Sequence, residues 1–181
     1  MNRLRLTRPL LVRQARLDDA ADLHATCFPD QPPQWVADYL AWCLEAPDRP
    51  ARLVALLRGH LVAQMELTRR QNGEWAEISN FIVSEALRRQ GIGWRVAGAA
   101  VRTAQRWGCR EVRLQVQLPN EELTEMYRHW GFHPLGTPLN GRQWFTLPIE
   151  RESPPVQEPP QPRAPRLRMG TSESNEVSVD R

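Results

Sequence analysis

Arg88, Gly91 and Gly93 make the pattern Arg-x-x-Gly-x-Gly directly after a largely apolar run, Ile78 to Val83. Of all the spacings in the chain, this one is best suited to hold an anion. Glycine lets the backbone turn at little steric cost and approach a ligand closely. A helix starting here has first amides without intrahelical acceptors, at the positive end of its dipole. Such a concavity of N–H groups binds phosphate. Arg88, Arg89 and Arg95 flank it, so the expected ligand is a polyanion such as a pyrophosphate. Two familiar phosphate loops are excluded by spacing. No Lys-Ser or Lys-Thr follows the second glycine, as the loop of nucleotide hydrolases requires. Position 96 is Val, where the dinucleotide fingerprint needs a third glycine. Taken alone, the motif also fits a tight turn with no ligand.

The other reactive side chains do not assemble into a competing centre. His129 and His133 have a spacing used by metal sites, but Gly131-Phe132 breaks the helix between them, so no metal is expected. Cys109 follows Gly108 at a predicted helix end without a paired histidine, and no nucleophile role follows. Cys27, Cys43 and Cys109 are odd in number and far apart. That suits a reduced, cytoplasmic setting and argues against a disulfide scaffold or a zinc knuckle.

The elements that must position these residues are legible from patterning. Leu10 to Ala15 reads as a first strand, and Asp18 or Asp19 can cap a helix running to about Phe28. Past Pro29 and Pro32-Pro33, a second helix carries Trp35, Tyr39 and Trp42 at i, i+4 and i+7, a stripe that reads first as core packing. Strands Arg52–Leu57 and Leu61–Thr68 flank the tight turn Arg58-Gly59-His60. Asn72-Gly73 marks a second hairpin, of the type needing positive φ at both turn positions. Trp75–Val83 then leads into the glycine loop, completing three antiparallel strands.

The helix from Ile92 to Trp107 places Ala97, Ala100, Val101 and Ala104 on one side and Arg95, Arg102 and Arg106 on the other, with Gly108 as its stop. Val112, Leu114, Val116 and Leu118 alternate with polar residues, as in a half-buried strand. Asn120 followed by Glu121 and Glu122 has the chemistry of a helix start. In that helix Leu123, Met126, Tyr127 and Trp130 share a face, and Gly131 ends it. Phe132–Leu135 and Trp144–Ile149 form a last strand pair, joined through Asn140-Gly141.

A length of 181 residues accommodates one domain with a full core, residues 10–150, after an N-terminal extension, residues 1–9. The formal net charge is +3, carried entirely by Arg, since the chain has no Lys. The charge is spread rather than clustered, so no nucleic-acid partner is expected. Arg3, Arg5 and Arg8 interrupt the leucines of the first eleven residues, which excludes a signal peptide or a membrane span there and argues for no membrane partner. From Arg151 the chain becomes proline-rich, its five Arg balanced by five acids. Residues 151–181 are expected to form a disordered tail, with a proline-rich recognition segment as the alternative.

The glycine motif after an apolar strand resembles the acetyl-CoA signature of the GNAT family of N-acetyltransferases. Asn120 with Tyr127 and Gly131-Phe132 resembles the family's second half-motif, and the order of elements is similar to the GNAT fold throughout residues 10–150. The resemblance implies an α+β, three-layer fold: a central mixed, mostly antiparallel sheet of six to seven strands flanked by about four helices. It also implies an enzyme that moves an acetyl group from acetyl-CoA, its co-substrate, to a primary amine of a small molecule or peptide by direct transfer.

By position, backbone groups of Phe81, Ile82 and Val83 would pair with the pantetheine arm like an added strand. Amides of Arg88, Arg89, Gln90, Gly91, Ile92 and Gly93 would hold the pyrophosphate. Asn120 would contact the coenzyme as well as cap its helix. Tyr127 would protonate the departing thiolate, its alternative being a filler of the core. Glu77, fourteen residues before Gly91, stands where family members often carry a catalytic base. Some members place a Glu on the fifth strand, but here that position is Gln115, which takes no proton; an ordered water, Glu74 or Asp38 are the other routes. Gln115 therefore leaves open a second class, a catalytically inactive acyl-CoA-binding or sensing module. The first two helices and the last hairpin usually shape the acceptor pocket, and here they offer Trp35, Tyr39, Trp42 and Trp144. The identity of the amine and the oligomeric state, a homodimer included, are not written in the chain.

Overall fold

Alternation along each strand decides which side of the sheet is buried, and the chain uses both sides differently. The computed structural model describes residues 10–70 and 73–149, all within the first of two units, residues 1–151, into which the chain divides. The N-terminal extension, the proline-rich tail and Asn72 of the expected Asn72-Gly73 turn lie outside the described residues; Gly73 itself has the positive φ that turn needs, +89°.

The elements run β1 (Leu10–Gln14), a one-turn 3-10 helix (Leu17–Asp19), α1 (Ala20–Cys27), α2 (Pro33–Glu45), β2 (Ala51–Leu57), β3 (His60–Arg70) and β4 (Trp75–Val83). After a short 3-10 turn at Glu85–Leu87 come α3 (Ile92–Arg106), β5 (Glu111–Gln117), α4 (Glu121–His129), β6 (His133–Leu139) and β7 (Arg142–Pro148). Seven strands form one sheet in the order β1-β2-β3-β4-β5-β7-β6. Among the described residues only the β4–β5 pairing is parallel. The crossover that this pairing demands is supplied by α3. The α+β architecture expected from the order of elements is the one present.

Two hairpins turn through residue pairs with both φ values positive: Arg58 (+56°) with Gly59 (+86°), and Asn140 (+50°) with Gly141 (+71°). Those are the dihedrals whose twist matches that of the flanking strands. His60 is thus the first residue of β3, opposite Leu57, rather than part of the turn. The edge strand β6 is exposed along its whole length and carries Pro134 and Pro138, which discourage pairing with a further strand.

The larger core lies on the α3 side. Ile92, Val96, Ala97, Ala100 and Ala104 pack on Ala55, Met65, Leu67, Ile78, Val112 and Phe145, and Tyr127 of α4 joins the same layer. Alanine at three of those α3 positions lets the helix lie close to the sheet. The smaller core, on the other face, joins Leu23 and Cys27 of α1 with Val36 and Leu40 of α2 over Val54 and Leu61. Burying aliphatic side chains of this size contributes about 1.5–3 kcal/mol each.

Two local expectations change. Asp19 does not cap α1 with its side chain; its carboxylate takes the Arg16 amide at 2.7 Å and a two-pronged contact from Arg13 at 2.7 and 2.8 Å. The aromatic stripe of α2 does not pack into the core either. Trp35 is 48% exposed and Trp42 43%, while the buried face is Val36, Leu40 and Cys43. That second triplet has the same i, i+4, i+7 spacing one residue along, and its smaller side chains fit against the sheet. The aromatic rings instead stack on one another, Trp35 on Tyr39 at 5.3 Å and Tyr39 on Trp42 at 5.6 Å.

Candidate active site

Because Asn80 carries a positive φ of +46°, β4 bulges at its middle. Its register against β3 shifts there, from Glu66↔Ser79 on one side to Gln64↔Ile82 on the other. The register with β5 ends at Ile78↔Leu114, whereas β5 goes on pairing with β7 as far as Gln117↔Arg142. The sheet therefore opens between β4 and β5 from Ser79 onward, leaving one edge of β4 without a neighbouring strand.

The groups that face this opening follow from strand alternation. Ser84 donates its amide to the Val62 carbonyl of β3 at 2.8 Å. Amide and carbonyl of one residue point to the same side and reverse at the next, so Ile82 also turns its polar groups to β3. Phe81 and Val83 turn theirs into the opening. Arg88 Nε donates to the Val83 carbonyl at 3.3 Å, on the same side. Phe81 and Val83 thus face their backbone groups to the opening, while Ile82 turns its own to β3 and packs its side chain toward the α1–α2 layer.

The glycine loop follows at once. Leu87 and Arg88 use their amides internally, on the carbonyls of Ser84 and Glu85. Arg95 is the first residue whose amide returns to the loop, at Gly91 O. The amides between them sit at the mouth of α3, where helical geometry supplies no acceptor. Arg89 (+60°) and Gly91 (+81°) both have left-handed backbone, which curls the loop around this mouth. Around Gly91 a Cβ would meet nothing within 4 Å, so space is open there. Gly93 is different: a Cβ would stand 3.0 Å from Trp130 and 3.4 Å from Phe81, so this glycine lets α3 sit close against both rings. Arg89 pairs with Glu122 at 2.6 Å, and among the described residues Arg88 and Arg95 make no ion pair.

Asn120 caps α4 by accepting the Leu123 amide at 3.0 Å. Two turns on, Tyr127 is buried against Trp130 at 5.5 Å and Phe132 at 5.8 Å. Among the described residues nothing hydrogen-bonds its hydroxyl, and burial pushes its pKa up to about 12, so it stays a protonated donor at neutral pH. Trp130 also meets Phe81 at 6.3 Å and the exposed Trp94 at 5.9 Å, joining the split edge, the glycine loop and α4 in one aromatic group.

Glu77 lies on the sheet face opposite α3, still within the paired part of β4, where it registers with Arg113. Its carboxylate takes Arg70 Nε at 2.8 Å. Four residues separate it from Phe81, about 13 Å of strand at ~3.3 Å per residue. Asp38 accepts from Gln34 at 2.7 Å on the exposed side of α2. Cys27, Cys43 and Cys109 are all free and buried, with burial pushing the Cys27 thiol up to about 11. His129 closes α4 and His133 opens β6. Among the described residues no group of three or more His, Cys, Asp and Glu is placed to hold a metal, and no helix is long and apolar enough to cross a membrane.

A second set of residues was not anticipated. Arg52, Gln64 and Glu66 are buried under α2, tied to the bulge through Asn80. The signal was available: Gln64 and Glu66 are polar residues two apart within the otherwise apolar run Leu61–Leu67.

Comparison with known proteins agrees with this geometry. A model of the acetyltransferase (GNAT) family matches residues 17–132. The GCN5-related N-acetyltransferase 4, chloroplastic, of Arabidopsis thaliana is 38% identical over 69 residues, covering 38% of this chain and 23% of that protein. The match thus spans about a quarter of that relative's length. Among solved structures, an acetyltransferase of the GNAT family from Streptococcus pneumoniae superimposes with a TM-score of 0.66 at 20% identity, over 78% of this chain and all of that one. A spermidine N-acetyltransferase chimera from Vibrio cholerae and hSSAT gives 0.67 at 15% identity over 77% of this chain and 95% of that one. An aminoglycoside 6'-N-acetyltransferase crystallised with coenzyme A gives 0.63 at 14% identity over 80% of this chain and 99% of that one. Likeness at such identities is likeness of fold, but the family match runs from the 3-10 turn before α1 to Phe132, well over half of the chain. On that ground the protein belongs to the GNAT family of acetyltransferases.

Proposed function

We propose that the chain binds acetyl-CoA in the β4–β5 opening and passes its acetyl group to the primary amine of a small molecule or peptide. The observation that carries this reading is one of adjacency. A strand edge without a neighbour runs directly into a loop whose amides from Arg89 onward face the mouth of α3, flanked by Arg88 and Arg95, which make no ion pair among the described residues; this suits a ligand with an amide-bearing arm and a diphosphate. The pantetheine arm would pair with the polar groups of Phe81 and Val83, and the diphosphate would rest on the amides of Arg89 to Gly93, since that of Arg88 is already given to the Glu85 carbonyl. The bound thioester supplies an activated acyl group, so the protein's task is mainly positioning. Tyr127 would give its proton to the thiolate as the carbon–sulfur bond breaks. Asn120 would contact the coenzyme as well as cap α4. Glu77 would take the amine proton through an ordered water, given the length of strand between it and the edge.

The test is direct. Calorimetry with acetyl-CoA reads binding, and thiol release with a panel of amines reads transfer. Saturable binding with amine-dependent thiol release supports the enzyme. Binding with no release for any amine would leave a sensing module. Absence of binding at millimolar coenzyme would remove the reading.

A further inference from the structure

A charged group under α2 is connected, bond by bond, to the bulge that opens the sheet. Arg52 is 3% exposed and donates to Gln64 Oε1 at 2.8 Å and to a carboxylate oxygen of Glu66, itself 3% exposed. Gln64 spends its own donor on the Asn80 carbonyl, and Asn80 Nδ2 donates to the other Glu66 oxygen at 2.9 Å. Tyr39 adds its hydroxyl to that oxygen at 3.4 Å. The Arg52 guanidinium is sandwiched between the rings of Phe28 and Tyr39, at 5.2 and 5.1 Å.

This arrangement is a poor device for stability. Two charges taken out of water gain little over apolar residues of the same volume, and Arg52 Nε finds no acceptor among the described residues. What it does is geometric. Asn80 is a non-glycine residue in left-handed backbone, and both its carbonyl and its side chain are held by neighbours on β3. Without those two bonds, β4 could relax toward regular pairing with β3, and the one-residue shift that turns Phe81 and Val83 into the opening would be lost.

The geometry points to Gln64, Glu66 and Asn80 as positioning residues that hold the β4 bulge open and so pre-form the strand edge on which the coenzyme arm pairs. The assignment rests on the coenzyme reading above. The bulge is part of the ligand site, so its rigidity appears in coenzyme affinity, and Tyr39 ties α2 to the same carboxylate.

The experiment compares three variants with the unaltered protein, at a temperature well below every Tm. Gln64→Leu removes the donor to the Asn80 carbonyl. Asn80→Gly keeps the left-handed backbone at no steric cost but removes the bond to Glu66. Leu23→Ala, in the α1–α2 core and outside the network, serves as the control for simple loss of stability. The expected result is coenzyme A affinity weakened about tenfold in the first two, within the range found for residues remote from a ligand. The KM for acetyl-CoA should rise with it while the KM for the amine stays put, and Leu23→Ala should lose Tm yet bind like the unaltered protein. Should Gln64→Leu fail to fold, Asn80→Gly carries the comparison alone. If the network variants bind coenzyme A within twofold of the unaltered protein, this assignment is wrong and the coenzyme reading survives. If the unaltered protein itself does not bind coenzyme A, both fall.

Discussion

The Tyr127 ring stands edge-on to Trp130, centroids 5.5 Å apart at 88°, and Trp130 in turn meets Phe81 on the split edge. The contact fixes the phenol beside the opening by packing alone, since its hydroxyl has no partner among the described residues. Removing the oxygen should therefore leave the ring in place. Tyr127→Phe is expected to lower kcat by about 10²-fold, the lower end for a lost proton donor. Coenzyme affinity should stay within twofold and Tm should not fall. Unchanged turnover in a steady-state assay would strip Tyr127 of its acid role and leave it a core residue.

Both tyrosines of the chain, Tyr39 and Tyr127, are pushed up from an ordinary 10.0 to about 12, mainly by burial. The folded state then holds its phenolic protons where the unfolded chain has released them. Stability from this source is complete below pH 10 and is lost as pH rises toward 12. Tyrosinate absorbance should stay flat past pH 10 and then rise together with unfolding by circular dichroism. A smooth titration centred on 10 in protein that is still folded would show that burial does not hold these two protons.

Gly91 and Gly93 should fail in different ways when given a methyl group. At Gly91 the obstacle is backbone: φ is +81°, a conformation costing other residues about 1–2 kcal/mol, with open space around it. At Gly93 the obstacle is the Trp130 ring at 3.0 Å. Gly91→Ala should weaken coenzyme binding by displacing the loop amides, with little change at Trp130. Gly93→Ala should move Trp130 and change tryptophan fluorescence. Identical fluorescence in the two variants would contradict the separate roles assigned here.

The architecture is readable in the chain because β5 alternates, β2 and β3 are short apolar runs, and the turns carry Arg58-Gly59 and Asn140-Gly141. Trp75–Val83 even has the bounds read from the pattern. The bulge leaves one trace in that same run, since adjacent Ser79-Asn80 followed by Phe81 breaks the period of two set by Ala76 and Ile78, but the constraint that fixes Asn80 comes from Gln64 and Glu66, fourteen to sixteen residues earlier. The α2 face was misjudged because two triplets share one helical spacing, and periodicity does not choose between a bulky and a compact stripe. Glu77 had the right strand, but its tie to Arg70, seven residues back across the hairpin, was invisible without the fold.

Asp19 should set part of the acid limb of stability. The two-pronged bond from Arg13, then the Arg16 amide, hold its carboxyl below the ordinary 3.8 despite burial. That contribution is full above 3.8 and is lost as pH falls through the lower folded value. Asp19→Asn keeps the shape but removes the charge, and should cost on the order of 1–3 kcal/mol at neutral pH, as for a hydrogen bond to a charged group. Its stability should then change less than that of the unaltered protein between pH 5 and pH 3. Urea denaturation at a series of pH values reads both. An equal acid slope in variant and unaltered protein would mean that other carboxylates carry it.

The Arg89–Glu122 pair links the glycine loop to the first turn of α4 at 2.6 Å, with the side chains 83% and 75% exposed. Exposed as it is, the pair adds little to stability. It does occupy a guanidinium that a diphosphate would otherwise claim. Glu122→Gln should leave Tm unchanged and strengthen coenzyme A binding at low salt by up to about fivefold, the ceiling for an exposed pair. The gain should fade as added salt screens the same charges. Calorimetry at two ionic strengths separates the outcomes: weaker binding in Glu122→Gln would make the carboxylate a ligand contact in its own right, and a gain that persists at high salt would mean that Arg89 is not the group released.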